Sequence, residues 1–189
     1  MQENRDNDIR RNEFVDAAEK LFRQNGIVDT TISSIVKEMD VAKGLFYYYF
    51  KSKDDVIEAI SEKYNEVFNE MMNDSMDGRD YDARLRQFIN NSIRSFRELN
   101  CKLKGDAEDV DLTELSLRSM VDARRAATMK LQHLLDEGNR TGSLNMEAPN
   151  YCACLIISGI IELIRQEEAT DADIQRLIMN LIEKTGKEN

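Results

Sequence analysis

Apolar residues recur three and four positions apart along almost the whole chain, and this spacing restricts the fold more than any other feature. A repeat of that length gathers apolar side chains on one side of an α-helix. Proline, which interrupts helices, occurs once in 189 residues. The sequence therefore predicts an all-α protein, with helices over about 9–25, 31–39, 42–50, 52–73, 81–99, 148–167 and 171–185 and a long helix ending near residue 138. Residues 74–80 are predicted to form a polar loop, and the pattern assigns no helix boundary within 101–112.

The net charge of −10 is distributed unevenly along the chain. Residues 1–53 hold nine Lys or Arg and nine Asp or Glu, whereas the remaining residues hold 17 basic and 27 acidic side chains. An acidic body would repel DNA everywhere except at the neutral N-terminal part, and it would thereby orient an approach to DNA. The simpler alternative is that the acidic side chains only keep the protein soluble.

The three cysteines, Cys101, Cys152 and Cys154, form no disulfide framework and indicate a reducing compartment. The N-terminus is too polar for a secretion signal, and the longest uncharged run, 148–161, is too short to cross a bilayer. We therefore expect a cytoplasmic protein that contacts no membrane. Cys152 and Cys154 point to opposite sides of a helix and cannot share a metal, so a redox or metal sensor is a weak alternative and no metal or cofactor is expected.

Residues 30–53 read TTISSIVKEMDVAKGLFYYYFKSK and predict a DNA-binding motif. An amphipathic helix, a tight turn at Asp40 and Val41, and a second short helix follow one another. No acidic residue occurs between Val41 and Lys53. This order is typical of a helix-turn-helix, here at about 31–50, whose second helix lies in the major groove of DNA.

Two phenylalanines and three tyrosines occupy the five positions 46–50, and they could instead form a core cluster with no DNA nearby. A helix this short cannot bury five adjacent aromatic rings on one side, because successive residues are rotated by about 100°. We expect Phe46 and Phe50, one turn apart, to anchor the helix, and some of the tyrosines to face outward.

Other functional classes have little support in the sequence. It contains no glycine-rich phosphate loop, zinc-protease motif or nucleophile elbow, so we expect no enzymatic activity. The alternative to a regulator is a helical ligand-binding or adaptor protein without DNA function. Such a protein would explain the acidic part of the chain but not the run from Lys43 to Lys53.

The run VAKGLFYYYFKSK at 41–53, together with the two threonines that open the preceding helix, resembles the N-terminal domain of the TetR family of bacterial transcriptional regulators. The resemblance covers residues from about 10 to 65. It implies a three-helix helix-turn-helix domain over 8–68, followed by a larger helical ligand-binding and dimerisation domain over 69–189. It further implies a repressor that binds a palindromic double-stranded DNA operator as a homodimer and responds to a small-molecule effector of unknown identity.

The resemblance also implies which residues contact DNA. Hydroxyl groups and backbone amides at the start of the motif would bind phosphate, the lysines and tyrosines would contact DNA, and Gly44 would allow a close approach. The predicted set is Thr30, Thr31, Lys43, Gly44, Leu45, Tyr47, Tyr48, Tyr49 and Lys53. Leu45, Tyr49 and Ala42 depart from the threonine, histidine and serine usual in the family. We expect Leu45 to pack on a thymine methyl group, and Ala42 to cap its helix less well, by about 1 kcal/mol.

The C-terminal part yields two further sets of candidates. Apolar residues that would line an effector pocket are Phe68, Met71, Phe88, Phe96, Met120, Met129 and Leu155, although each could simply fill the core. A helix that is apolar on nearly all sides and contains Gly159 suits a two-fold four-helix interface, although it could also be the buried helix of a monomer. The predicted interface residues are Leu155, Gly159, Leu163, Ile174, Leu177, Ile178 and Leu181.

Overall fold

The computed structural model describes residues 2–73, 80–166 and 169–186, with side chains from residue 7 onward. These residues form eight α-helices and no strand, so the all-α prediction is confirmed for the described part of the chain. The helices are α1 (Gln2–Asn25), α2 (Ile32–Glu38), α3 (Lys43–Tyr49), α4 (Lys53–Met72), α5 (Tyr81–Lys102), α6 (Thr113–Thr141), α7 (Pro149–Arg165) and α8 (Asp171–Gly186). The predicted loop at 74–80 lies outside the described residues except for Asp80.

The helix boundaries differ from the predicted ones where apolar periodicity is absent. The first helix begins at Gln2 rather than near Ile9, in a polar stretch that has no apolar stripe. The long helix α6 continues past Gly138 and stops before Gly142, whose φ of 76° is readily adopted by glycine. Pro149 is the first residue of α7, a position that proline tolerates because the first turn needs no donor from that nitrogen.

The chain divides into two compact units. One consists of Met1–Asn65 with Asn100–Met120, and the other of Glu66–Leu99 with Val121–Asn189. The sequence predicted a boundary between residues 68 and 69 and did not assign 100–120 to the N-terminal part. Both α5 and α6 therefore contribute residues to each unit.

In the first unit, α1 contacts α2, and α2 contacts α3. The Phe14 ring of α1 meets the Phe46 ring edge-on, with 5.8 Å between ring centroids, and lies 6.3 Å from the Phe50 ring. Phe46 of α3 and its C-cap residue Phe50 are both buried, so the expectation that they anchor this short helix is confirmed. The three helices thus form a small aromatic core that sets the orientation of α3.

Charged side chains join α1 to α4 on another side of the same unit. The Lys63 ammonium donates to Asp16 at 2.7 Å and to Glu19 at 2.8 Å, and the Tyr64 hydroxyl donates to Glu19 at 2.8 Å. Burial and the neighbouring Glu19 carboxylate raise the pKa of Tyr64 well above its ordinary value. Tyr64 therefore stays protonated and keeps donating to Glu19.

The second unit contains an apolar core, with partly exposed ion pairs between its helices. The Phe68 and Phe96 rings pack at 4.8 Å between centroids, and α7 contacts α8. Arg84 of α5 pairs with Glu137 of α6, and this guanidinium lowers the pKa of Glu137. Among the described residues, no helix is both long enough and apolar enough to cross a membrane.

Candidate nucleic-acid interface

The helix-turn-helix begins at Thr31, which is the N-cap of α2. Its hydroxyl oxygen accepts from the Ser34 amide at 3.1 Å, and the Ser34 hydroxyl oxygen accepts from the Thr31 amide at 3.0 Å. This reciprocal pair is a capping box, here with serine in place of the usual acid or amide. Thr31 and Ser33 are exposed at this end of α2. They therefore present polar side chains where a phosphate approaching the helix start would meet them.

Thr30 does not lie on this surface. Its side chain is only 1% exposed, and its hydroxyl donates to the carbonyl oxygen of Gly26 at 2.8 Å and to that of Leu21 at 3.2 Å. The hydroxyl is therefore used inside the protein. Burial corrects the prediction that Thr30 offers this group to DNA.

The three tyrosines of α3 follow the orientation expected for a short helix. Tyr47 and Tyr48 are 51% and 70% exposed, whereas Tyr49 is half-buried, with its ring centroid 5.7 Å from that of Phe14. Tyr48 meets Tyr49 edge-on at 4.9 Å. Tyr47 and Tyr48 are thus exposed to solvent, while their rings pack against Phe46 and Tyr49 respectively. These ring contacts limit the side-chain entropy that is lost on binding.

The start of α3 combines positive charge with open space. Lys43 is exposed, and its ammonium lies 6.0 Å from the Tyr47 ring centroid. A Cβ atom added to Gly44 would meet nothing within 4 Å, so the fold itself does not require glycine there. Leu45 is half-buried next to this opening. Ala42 is the N-cap and makes no side-chain cap hydrogen bond, as predicted.

The Lys53 side chain also does not lie where the resemblance implies a contact with DNA. Its ammonium donates to the carbonyl oxygens of Ile27 at 2.6 Å and Thr30 at 3.0 Å, and lies 3.5 Å from that of Val28. These atoms belong to the turn between α1 and α2. The structure therefore places the ammonium against the protein's own backbone rather than on the exposed face.

Lys51 is a candidate contact that the sequence did not predict. It is exposed, while Lys53 two positions later is half-buried. The family pattern favours Lys53, which is the first residue of α4, whereas Lys51 lies two residues before that helix. The signal that separates them is the capping pattern at Ser52 and Asp55, which fixes where α4 starts and hence which lysine points inward.

That cap is well defined. The Asp55 carboxylate accepts from the Lys51 amide at 2.8 Å and from the Ser52 hydroxyl at 2.9 Å, and the Ser52 hydroxyl oxygen accepts from the Asp55 amide at 3.1 Å. The Lys51 amide, followed by the Ser52 hydroxyl, lowers the pKa of Asp55. A serine followed three residues later by an acidic residue is the sequence pattern of such a cap, and these two side chains form it.

The predicted pocket residues do not all face the interior. Phe68, Phe88 and Phe96 are buried, and Met71 and Met120 are half-buried. Met129 and Leu155 are exposed, which removes them from any pocket enclosed by a single chain. The adjacent Met72, rather than Met71, is the methionine of α4 that is fully buried.

A surface groove of about 440 Å³ lies in the first unit instead, and its lining is charged rather than apolar. Its cations are already paired: Lys63 with Asp16 and Glu19, Arg23 with Asp106, and Lys20 with Glu38. The ion pairs that line this groove therefore connect α1 to α4 and to the segment after α5.

The predicted interface residues separate into two groups. Leu155, Leu177 and Leu181 are 71%, 55% and 47% exposed, and a Cβ at Gly159 would meet nothing within 4 Å. Leu163 is half-buried. Ile174 and Ile178 are buried against their own unit, so neither is available to a second chain, and the prediction for these two is wrong. One face of α8 is therefore buried in the core, and the neighbouring face, with Leu177 and Leu181, is exposed to solvent.

The fold and this exposed, basic and aromatic face define a helix-turn-helix DNA-binding protein. Residues 14–60 match the family model described as bacterial regulatory proteins, tetR family. The N-terminal part of the chain is therefore a TetR-type helix-turn-helix domain, and the matches support a DNA-binding transcriptional regulator of this type.

Individual relatives support this assignment over different lengths. The transcriptional regulator HbdR of Aromatoleum sp. (strain CIB) is 46% identical over 48 residues, which are 25% of this chain and 21% of that protein. The transcriptional regulator ArpR of Pseudomonas putida is 20% identical over 163 residues, covering 80% of this chain and 78% of the relative. The crystal structure of a TetR/AcrR-family regulator from Thermobifida fusca superposes with a TM-score of 0.68 at 26% identity, covering 90% and 97% of the two chains.

Proposed function

We propose that the protein is a homodimeric repressor that binds a palindromic operator and releases it when a small molecule binds its second unit. The observation that carries the DNA-binding part is the outward face of α3, where Lys43, Tyr47 and Tyr48 are exposed around the open space at Gly44. Lysine and tyrosine donate to phosphate oxygens, and a missing Cβ lets the helix approach DNA closely. We include Thr31, Leu45 and Lys51 in the proposed contact surface.

Support for the homodimer comes from apolar side chains that the single chain leaves in solvent. We call Tyr151, Leu155, Gly159, Leu177 and Leu181 the α7–α8 face. Tyr151, Leu155 and Gly159 are spaced by four residues on α7, and the two leucines by four residues on α8. Exposed apolar stripes of this kind indicate a protein–protein interface. A two-fold axis would pair the face with itself and would supply two recognition helices for a palindrome.

The effector proposal rests on polar groups inside the second unit. Asn91, Ser92 and Ser95 of α5 are buried among apolar residues, and the Ser95 hydroxyl has no partner among the described residues. A buried hydroxyl without a partner is costly, and a ligand group that pairs with it gains that free energy back. The proposed effector is therefore largely apolar with at least one hydrogen-bonding group, and it lies beside Phe88 and Phe96.

Such a ligand acts only through a difference in affinity between two conformations. To move the protein from mostly operator-bound to mostly released, it must bind the released form more tightly by a few kcal/mol. Binding both forms equally would leave operator affinity unchanged.

Binding to a pool of random duplexes at two salt concentrations, with sequencing of the retained DNA, tests the proposal. We expect an enriched palindrome whose affinity falls steeply with salt, because phosphate contacts release counterions. Lys43→Ala and Tyr47→Ala should abolish the enrichment. Lys184→Ala, which removes an exposed lysine of α8, is the charge-matched control and should retain it.

The same experiment addresses the alternative of a helical ligand-binding or adaptor protein. If the purified dimer retains no sequence preferentially at low salt, operator binding fails as a proposal. The α7–α8 face would then be the more informative part of the molecule.

A further inference from the structure

The turn between α1 and α2 has an unusual arrangement of backbone partners. Three of its carbonyl oxygens, those of Ile27, Val28 and Thr30, lie 2.6, 3.5 and 3.0 Å from the Lys53 ammonium. An ammonium has three N–H donors, so three acceptors match its full capacity. The carbonyl of Gly26, in the same turn, accepts from the buried Thr30 hydroxyl. Two side chains that the family pattern assigns to DNA thus bind the protein's own turn.

The opposite side of the turn is held by the segment between α5 and α6. The Ile27 amide donates to the Asp111 carbonyl at 3.1 Å, and the Asp106 amide donates to the Arg23 carbonyl at 2.8 Å. The Ile27 residue is therefore fixed through its N–H by one segment and through its C=O by Lys53. Removal of Lys53 would leave one of these two attachments.

The carbonyl of Thr30 belongs to the peptide group that leads into Thr31, the N-cap of α2. A shift of this peptide would move the capping box, and α2 contacts α3. We propose that Lys53 is a positioning residue, which fixes the entry into α2 and thereby the placement of the recognition helix, and that it is not a phosphate ligand. This inference rests on the proposed operator binding.

Substitution by arginine separates the two roles. A phosphate ligand tolerates Lys→Arg, because guanidinium binds phosphate at least as well as ammonium does. Three carbonyl oxygens that converge on one point require a compact ammonium, and the planar guanidinium fork does not reproduce that geometry. Charge alone therefore does not restore a positioning role.

The experiment compares Lys53→Met, Lys53→Arg and Lys43→Met as full-length proteins on the operator selected by the wild type. The salt dependence of the dissociation constant is measured for each. For Lys53→Met and Lys53→Arg we expect an affinity loss of about tenfold, comparable to losing one charge-assisted hydrogen bond, with an unchanged salt slope. For Lys43→Met we expect the slope of log affinity against log salt to fall by about 0.9. Wild-type affinity in Lys53→Arg, together with a reduced slope in Lys53→Met, would overturn the proposal.

Amide hydrogen exchange without DNA provides a readout that a phosphate contact does not move. Lys53→Met should speed exchange at Thr31 and Ser34, and Lys43→Met should not. Thr30→Val, which keeps the shape of a buried side chain and removes its hydroxyl, is a second variant in case Lys53→Met fails to fold, and it should give the same pattern. Unchanged exchange at both amides in the folded variants contradicts the proposal. If the wild type selects no DNA, the repressor proposal fails, while the exchange result still decides the role of Lys53.

Discussion

At Gly44 we expect a single substitution to raise the stability of the folded protein and to lower its affinity for DNA. It is the second residue of α3, its backbone has no left-handed φ, and an added Cβ would meet nothing within 4 Å. Alanine therefore fits the folded chain without strain. If glycine is present because DNA comes close to this point, Gly44→Ala should stabilise the protein and weaken operator binding.

The size of each effect follows from the structure. Replacing glycine by alanine in a helix without strain stabilises a protein by about 0.5–1 kcal/mol, chiefly by restricting the unfolded chain. For a chain of this length that corresponds to a rise in Tm of about 2–4 °C per kcal/mol. We expect the extra methyl group to push α3 away from its contacts and to weaken operator binding by at least about tenfold, or about 1.4 kcal/mol.

Ala42→Ser is the matched control on the same helix. It adds a hydroxyl at an N-cap that now lacks a side-chain hydrogen bond, and it should stabilise α3 by a similar amount, about 1 kcal/mol. It adds nothing at Gly44, so operator affinity should be equal to or greater than that of the wild type.

Thermal unfolding and operator titration of both variants give the comparison. A loss of binding in Gly44→Ala cannot then be attributed to unfolding, because the variant is the more stable protein. Undiminished operator affinity in Gly44→Ala would refute the reasoning that the gap at this position admits DNA.

Three further outcomes are expected. Gly159→Ala should raise the dissociation constant of the dimer at least about tenfold in sedimentation experiments, because the open position becomes a close helix contact in the proposed interface; an unchanged dimer would remove Gly159 from that interface. Because the pKa of Tyr64 is raised in the folded state, its contribution to stability is complete below its unfolded pKa of about 10 and is lost as pH rises above that value. Tyr64→Phe should therefore reduce the loss of stability at alkaline pH. A pH profile identical to that of the wild type would argue against the contact with Glu19. Because the pKa of Asp55 is lowered in the folded state, its contribution to stability is present above the unfolded value of 3.8 and is lost as pH falls through the lower folded value. Asp55→Asn should therefore be less stable than the wild type at neutral pH, and the difference should shrink in acid. Denaturant unfolding at several pH values measures this difference.

The sequence predicted the parts of this molecule that depend on local periodicity. Helix class, the anchoring rings Phe46 and Phe50, the missing cap at Ala42 and the cap at Ser52 follow from spacing and side-chain chemistry within a few residues. The outward tyrosines follow from the 100° rotation between residues, which needs no tertiary information.

The residues that the structure places differently from the sequence predictions depend on contacts between distant residues. Lys53 and Thr30 look like phosphate ligands in a linear motif, but their partners are carbonyl groups at positions 21–30, brought close only by the fold. Ile174 and Leu177 both lie on the apolar stripe of α8, and only packing decides which one is buried. Periodicity identifies an apolar stripe but does not divide it between core and interface.

The first compact unit includes residues 100–120 as well as the segment that carries the helix-turn-helix motif. The amide of Ile27 and the guanidinium of Arg23 take partners from that second segment, at Asp111 and Asp106. The part of this regulator that reads DNA is therefore encoded in two separated stretches of its gene. A chimera that joined residues 1–68 to the body of another regulator would acquire a foreign loop against the α1–α2 turn. Exchange of specificity between relatives would require both stretches to be transferred together.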